Sequence, residues 1–173
     1  MFMKPVAGPG KRPRVFRVVV FLMMVLLETG LLRQASGMEP KFVFCLRVYD
    51  WKTGEIYASA PAKAGSVLFF GWIHSLEKIP WNEYYHIDEN GELILDAITF
   101  PAFGAGIPEN KGRVCYVENG LIHMEEIDQA FKELVWLNSH TATQDILLDG
   151  RLVARGGELP HHTRLRLVIE KEE

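Results

Sequence analysis

Val67-Leu68-Phe69-Phe70-Gly71-Trp72-Ile73, running straight into His74-Ser75-Leu76-Glu77-Lys78-Ile79-Pro80-Trp81-Asn82-Glu83, is the stretch that decides the fold. The apolar run is short, rich in aromatic and branched residues, and bounded by turn signals, so it reads as a strand buried on both faces. Such a strand normally ends in a plain polar turn; this one ends in His, Ser and Glu. Strand alternation puts Leu68, Phe70, Trp72 and His74 on one face, with Val67, Phe69, Gly71, Ile73 and Ser75 on the other. On the returning segment Trp81, Glu83 and Tyr85 share a face, opposite Asn82, Tyr84 and His86. A hairpin of this register brings His74, Glu83 and Glu77 within reach of one another.

Outward from this hairpin the chain continues as short strands between turn signals. Phe42–Asp50 and Glu55–Ala60 flank Trp51-Lys52-Thr53-Gly54, where glycine accepts a positive φ. Asp88-Glu89-Asn90-Gly91 separates Trp81–Ile87 from Glu92–Phe100. Asn119-Gly120 and Asp149-Gly150 are hairpin signals between Arg113–Glu118 and Leu121–His123, and between Gln144–Leu148 and Arg151–Ala154. Thr163–Glu170 alternates as a half-exposed strand. One segment departs from this pattern: Met124, Ile127, Phe131, Leu134 and Val135 recur at helical spacing behind the acids Glu125, Glu126 and Asp128, which predicts a helix over Glu125–Leu137. A short helix followed by a strand at Leu134–Asn138 is the alternative. The fold expected is mainly β, an antiparallel sandwich or barrel-like domain with at most one helix.

Residues 1–37 have a different composition. Lys4, Lys11, Arg12, Arg14 and Arg17 precede the apolar run Val18–Leu27, and Ala35-Ser36-Gly37 follows it, which fits an export signal cleaved before Met38. The alternative is an uncleaved membrane anchor over residues 15–32. Either reading puts a single β-domain, residues 38–173, on the periplasmic or extracellular face of the cytoplasmic membrane. Six of the 19 Lys and Arg but one of the 22 acids fall in residues 1–37, so the remainder is about eight charges negative. That balance opposes nucleic-acid binding and adhesion to anionic lipid. Cys45 and Cys115 are the two cysteines of the 173 residues. In an oxidising compartment they could pair as a disulfide; two free thiols are the alternative.

Three chemistries compete for the hairpin. His74 and Glu83 could form a satisfied pair that closes it structurally. They could act as acid and base in a small hydrolase. Together with Ser75, Glu77 and Trp81 they could bind a ligand or partner, with Gly104 and Gly106 of the loop Phe103–Pro108 offering backbone N–H groups to an anion. A metal centre from His74, Glu77, Glu83 and His86 is disfavoured because His86 falls on the opposite face. Ser75 is a poor nucleophile for the same reason, and no cofactor motif is present.

Thr53-Gly54-Glu55-Ile56, the His74-Ser75-Leu76-Glu77-Lys78 string, Glu83, Phe103-Gly104-Ala105-Gly106-Ile107-Pro108 and the late turn Leu148-Asp149-Gly150-Arg151 together resemble a family of exported proteins known as domain of unknown function 1850. The resemblance covers residues 42–170. No enzymatic activity is attached to that family, so the resemblance carries over no catalytic residues. It implies an accessory role beside tripartite ATP-independent periplasmic (TRAP) transporters of the TAXI class. The partner expected is a membrane or solute-binding subunit of the transporter, or a small organic-acid solute.

Overall fold

A computed structural model of the chain describes residues 43–101 and 109–172. Over these residues the protein is all strand: β1 (Phe44–Asp50), β2 (Ile56–Ala62), β3 (Val67–Ile73), β4 (Pro80–Ile87), β5 (Leu93–Pro101), β6 (Val114–Glu118), β7 (Leu121–Phe131), β8 (Glu133–Leu137), β9 (Thr143–Leu148), β10 (Arg151–Arg155) and β11 (Arg164–Lys171). They form two antiparallel sheets, one ordered β2-β1-β11-β8 and the other β10-β9-β3-β4-β5-β7-β6. The expected mainly β architecture is present as two open sheets, neither closed into a barrel. The signal or anchor read over residues 1–37 lies outside the described residues.

The sheets share one apolar core. Leu46, Val48, Leu165 and Leu167 from the smaller sheet and Leu68, Ile87, Leu93 and Ile146 from the larger are completely buried in a single cluster. Burial of each such side chain contributes about 1.5 to 3 kcal/mol. Phe70 of β3 meets Trp136 of β8 edge-on, 5.1 Å between centroids, and so ties one sheet to the other. The predicted hairpin turns form as the sequence requires. Asn119 and Gly120 take φ of 50° and 78°, and Asp149 and Gly150 take 49° and 74°, which is the doubly left-handed geometry that matches strand twist.

Two expectations are corrected. No helix forms over Glu125–Leu137; that stretch is the second half of β7 followed by β8. Ile122 and Met124 enter the core at the two-residue period of a strand. Beyond them the register jumps, since Leu95 and Ala97 of β5 face Gln129 and Glu125 of β7. Glu126 and Asp128 in this irregularity have φ of 57° and 53°. The extra residues stretch the apolar spacing from two to three or four, which imitates a helix. At Lys132 the chain then turns a corner, because β7 pairs with β5 in one sheet while β8 pairs with β11 in the other. The second correction concerns β3, which is buried on one face only: Leu68 and Phe70 face the core, whereas Val67 is 46% exposed and Phe69 lies half-buried against Tyr84.

The disulfide is also not formed. Cys45 is buried in β1 and Cys115 is exposed on β6, at the rim of the other sheet, and both are free thiols. Burial pushes the Cys45 thiol above its ordinary range.

Candidate functional site

The hairpin places the site. Phe70 lies opposite Glu83, Trp72 opposite Trp81 and Ile73 opposite Pro80. The connection closes through His74 N–H donating to the Ile79 carbonyl at 2.8 Å and Lys78 N–H donating to the His74 carbonyl at 2.9 Å, with Lys78 in the left-handed region at φ 57°. On the other side Ile73 N–H donates to the Ala142 carbonyl at 2.7 Å, which fixes the turn against the β8–β9 loop. The β3–β9 register slips between Phe70 and Trp72, around Gly71, where a Cβ would crowd the Gln144 side chain and the Phe69 ring edge, the latter at 3.1 Å.

Aromatic rings then fill the hairpin's inner face. Trp72 and Trp81 pack with centroids 5.5 Å apart, and the His74 ring lies 5.7 Å from Trp72 and 6.0 Å from Trp81. Trp81 stacks on Phe100 of β5 at 4.4 Å with an interplanar angle of 7°. His74 therefore does project on the Trp72 face, at the end of an apolar row.

Glu83 has its own partners. Trp72 Nε1 donates to its Oε1 at 3.4 Å and Tyr85 Oη donates to its Oε2 at 2.7 Å. Tyr85 is 2% exposed, and burial together with the Glu83 carboxylate holds its phenol protonated far above the usual range. Thus the His74–Glu83 pair that the hairpin suggested is replaced by a relay of contacts: Trp72 touches His74 with its ring and Glu83 with its N–H. The acid and base of a hydrolase are not joined by a hydrogen bond. Tyr85 and Trp72, the groups that hold Glu83, were not singled out as site residues from sequence; their shared strand parity with Glu83 was the signal available.

Four buried side-chain polar atoms of the described residues lack a hydrogen-bond partner: His74 Nδ1, Glu77 Oε1, Trp81 Nε1 and, in the smaller sheet, Arg166 Nε. Three of these belong to the hairpin end. Ser75 is exposed, as is Leu76 at 86%. His86 faces away and bonds Asp96 at 2.9 Å, so it does not converge with Glu83. Gly104 and Gly106 lie outside the described residues. Among the described residues no group of three or more His, Cys, Asp or Glu side chains is arranged to hold a metal ion.

The late turn serves the scaffold instead. Asp149 accepts from Ser66 Oγ at 2.9 Å and from Val67 N–H at 2.8 Å, which ties the β9–β10 turn to the start of β3.

A model of a protein family described as a domain of unknown function, DUF1850, matches residues 69–154. The chain belongs to the DUF1850 family. No curated protein and no solved structure matches it. The DUF1850 match begins within β3 and ends within β10. It thus takes in most or all of every strand of the seven-stranded sheet, and only β8 of the other. The His74–Glu83 hairpin lies inside it. The family signature is therefore the larger sheet and the hairpin end it carries.

Proposed function

We propose that this DUF1850 protein is an exported accessory domain that works beside a TRAP-type transporter of the TAXI class, with the His74–Glu83 hairpin end as its contact with a transporter subunit or the transported solute. The observation that carries the reading is the concentration of unpartnered buried polar atoms at that end. Buried polar groups normally find a partner in the fold or in ordered water, so three at one hairpin end mark a place where an outside polar group can also be received. The basic, then apolar, N-terminal stretch supports delivery across the cytoplasmic membrane. The acidic balance of residues 38–173 favours small-molecule or protein partners over nucleic acid.

Co-purification tests this. The full chain, tagged and expressed with its neighbouring transporter subunits, is expected to retain them when solubilised membranes are passed over an affinity resin. The double substitution His74→Ala with Glu77→Ala is expected to lose most of that retention while the protein keeps its cooperative melting. Absence of any association with the wild-type chain overturns the proposal.

A further inference from the structure

We propose that the outer face of the smaller sheet, at the end carrying Trp51, Arg164 and Leu137, is a docking surface for a protein segment that presents carboxylates among apolar side chains. The proposal uses none of the hairpin residues and stands apart from the reading above. Strand register builds the surface. Leu165 and Leu167 of β11 are completely buried, so Arg164 and Arg166 lie on the other face of the sheet. Arg164 is opposite Leu137 of β8, and Arg166 is opposite both Val135 of β8 and Tyr49 of β1, which in turn faces Ile56 of β2. Trp51 joins the first of these rows, its backbone N–H donating to the Arg164 carbonyl at 2.9 Å. Adjacent strands are about 4.8 Å apart, so four of them carry the patch across about 15 Å.

Exposed apolar surface is concentrated there. Of the nine large apolar side chains left exposed among the described residues, four belong to these two rows: Trp51, Ile56, Val135 and Leu137, the last 65% exposed. Two guanidinium groups lie among them on aromatic rings, Arg164 at 4.4 Å from the Trp51 centroid and Arg166 at 5.0 Å from that of Tyr49. A guanidinium held over a ring has lost much of its freedom before any partner arrives, and its planar fork of donors suits a carboxylate. Trp, Tyr and Arg are also the side chains that dominate binding energy once neighbours exclude water from them.

Charge selects the occupant. Further along the same face Arg47 pairs with Glu170 and approaches Glu172. Arg166 reaches Glu133 at 3.9 Å, and Arg164 pairs with no acid among the described residues. Residues 38–173 carry about eight more acids than cations, so acids are not in short supply. A second copy docked through the same patch about a twofold axis would set these arginines against themselves. An anionic bilayer gains only about fivefold in adhesion per basic residue, too little for two arginines on an acidic domain. A protein segment with carboxylates between apolar side chains answers both kinds of group at once. The patch is then the core of an interface, with polar neighbours such as Glu133 as its rim.

Photocrosslinking of the full chain in its host cells tests the proposal. Leu137, Ile56 and, as a control in the other sheet, the exposed Leu152 are replaced one at a time by benzoylphenylalanine. The first two positions are expected to give the same protein adduct and the control position not to give it, with Asp or Glu beside apolar residues in the crosslinked peptide of the partner. Arg164→Glu is expected to lower the yield about tenfold or more, as removal of an anchoring arginine does, while the variant melts like the wild type. Changing the partner's nearest acid to Lys in the same cells is expected to restore it. Arg164→Gln removes the charge without reversing it and serves if the reversal disturbs the fold.

Adducts of twice the chain's mass identify a second copy, and lipid adducts identify a membrane; either overturns the proposal. So does crosslinking within the chain, an adduct with no acid near the crosslink, a yield indifferent to both Arg164 variants, or no adduct from either position.

Discussion

The two ends of the β3–β4 hairpin are built on opposite principles. At the Val67–Ile87 end every polar group described above is answered. Gly65 N–H donates to the Ile87 carbonyl at 2.7 Å, Ile87 N–H to the Ser66 carbonyl at 3.0 Å, and Asp149 N–H to the Val67 carbonyl at 2.8 Å, while Asp149 Oδ2 accepts a hydrogen bond from the nearly inaccessible Ser66 hydroxyl. At the His74–Trp81 end three sealed polar atoms have no answer among the described residues. The same two strands thus carry a finished end and an unfinished one. Local inconsistency confined to one end of an otherwise consistent element is what a functional site looks like in energetic terms.

Substitutions can break or sharpen this contrast. The largest effect belongs to the finished end. Leu68→Ala, at a completely buried position, is expected to cost about 2 to 5 kcal/mol in urea denaturation. The unfinished end should respond with the opposite sign: His74→Phe keeps a ring beside Trp72 and Trp81 but removes the unmet nitrogen, and is expected to stabilise the ligand-free domain by about 1 kcal/mol in the same measurement. A loss comparable to that of Leu68→Ala would show that His74 is partnered after all.

The smallest effect lies just beyond the finished end and depends on pH. A hydrogen bond from Glu92 N–H, joined by those of Asn90, holds the Asp88 carboxyl below the usual carboxylate range. Its folded value lies under its unfolded one, so its contribution is present above about pH 4 and is lost as pH falls through the folded value. Asp88→Asn should therefore lower the melting temperature slightly at neutral pH. The gap to the wild type should close in acid, as followed by circular dichroism from pH 6 down to pH 2.

Much of the fold was legible because turn chemistry and strand alternation are local. Asn119-Gly120 and Asp149-Gly150 announced their hairpins, and the parity of Leu68, Phe70, Trp72 and His74 placed the site ring by ring. β7 was misread because its pairing with β5 is irregular, and a strand with added residues has an apolar spacing no sequence rule separates from a helix. The one-sidedness of β3 was hidden because Phe69 and Tyr84 are apolar yet cover each other at the surface. At the hairpin end, strand alternation put His74 and Glu83 on one face, but the pairing between them that it suggested as one alternative is not the one formed. Glu83 faces inward with His74 as expected, but the indole N–H of Trp72 and the phenol of Tyr85 reach its carboxylate. Which of several inward side chains meets a carboxylate depends on rotamers and cross-strand packing, which alternation does not encode.

The pairing of β1 with β11 has a consequence for how the molecule comes into being. β11 sits between β1 and β8 in the smaller sheet, so the first described strand has to wait for the last before that sheet exists. Contacts this far apart in sequence close late and slowly. The seven-stranded sheet needs nothing from β11, whereas the four-stranded sheet joins β1 to β8 only through it, so the chain can pair most of its strands early and still completes its second layer last.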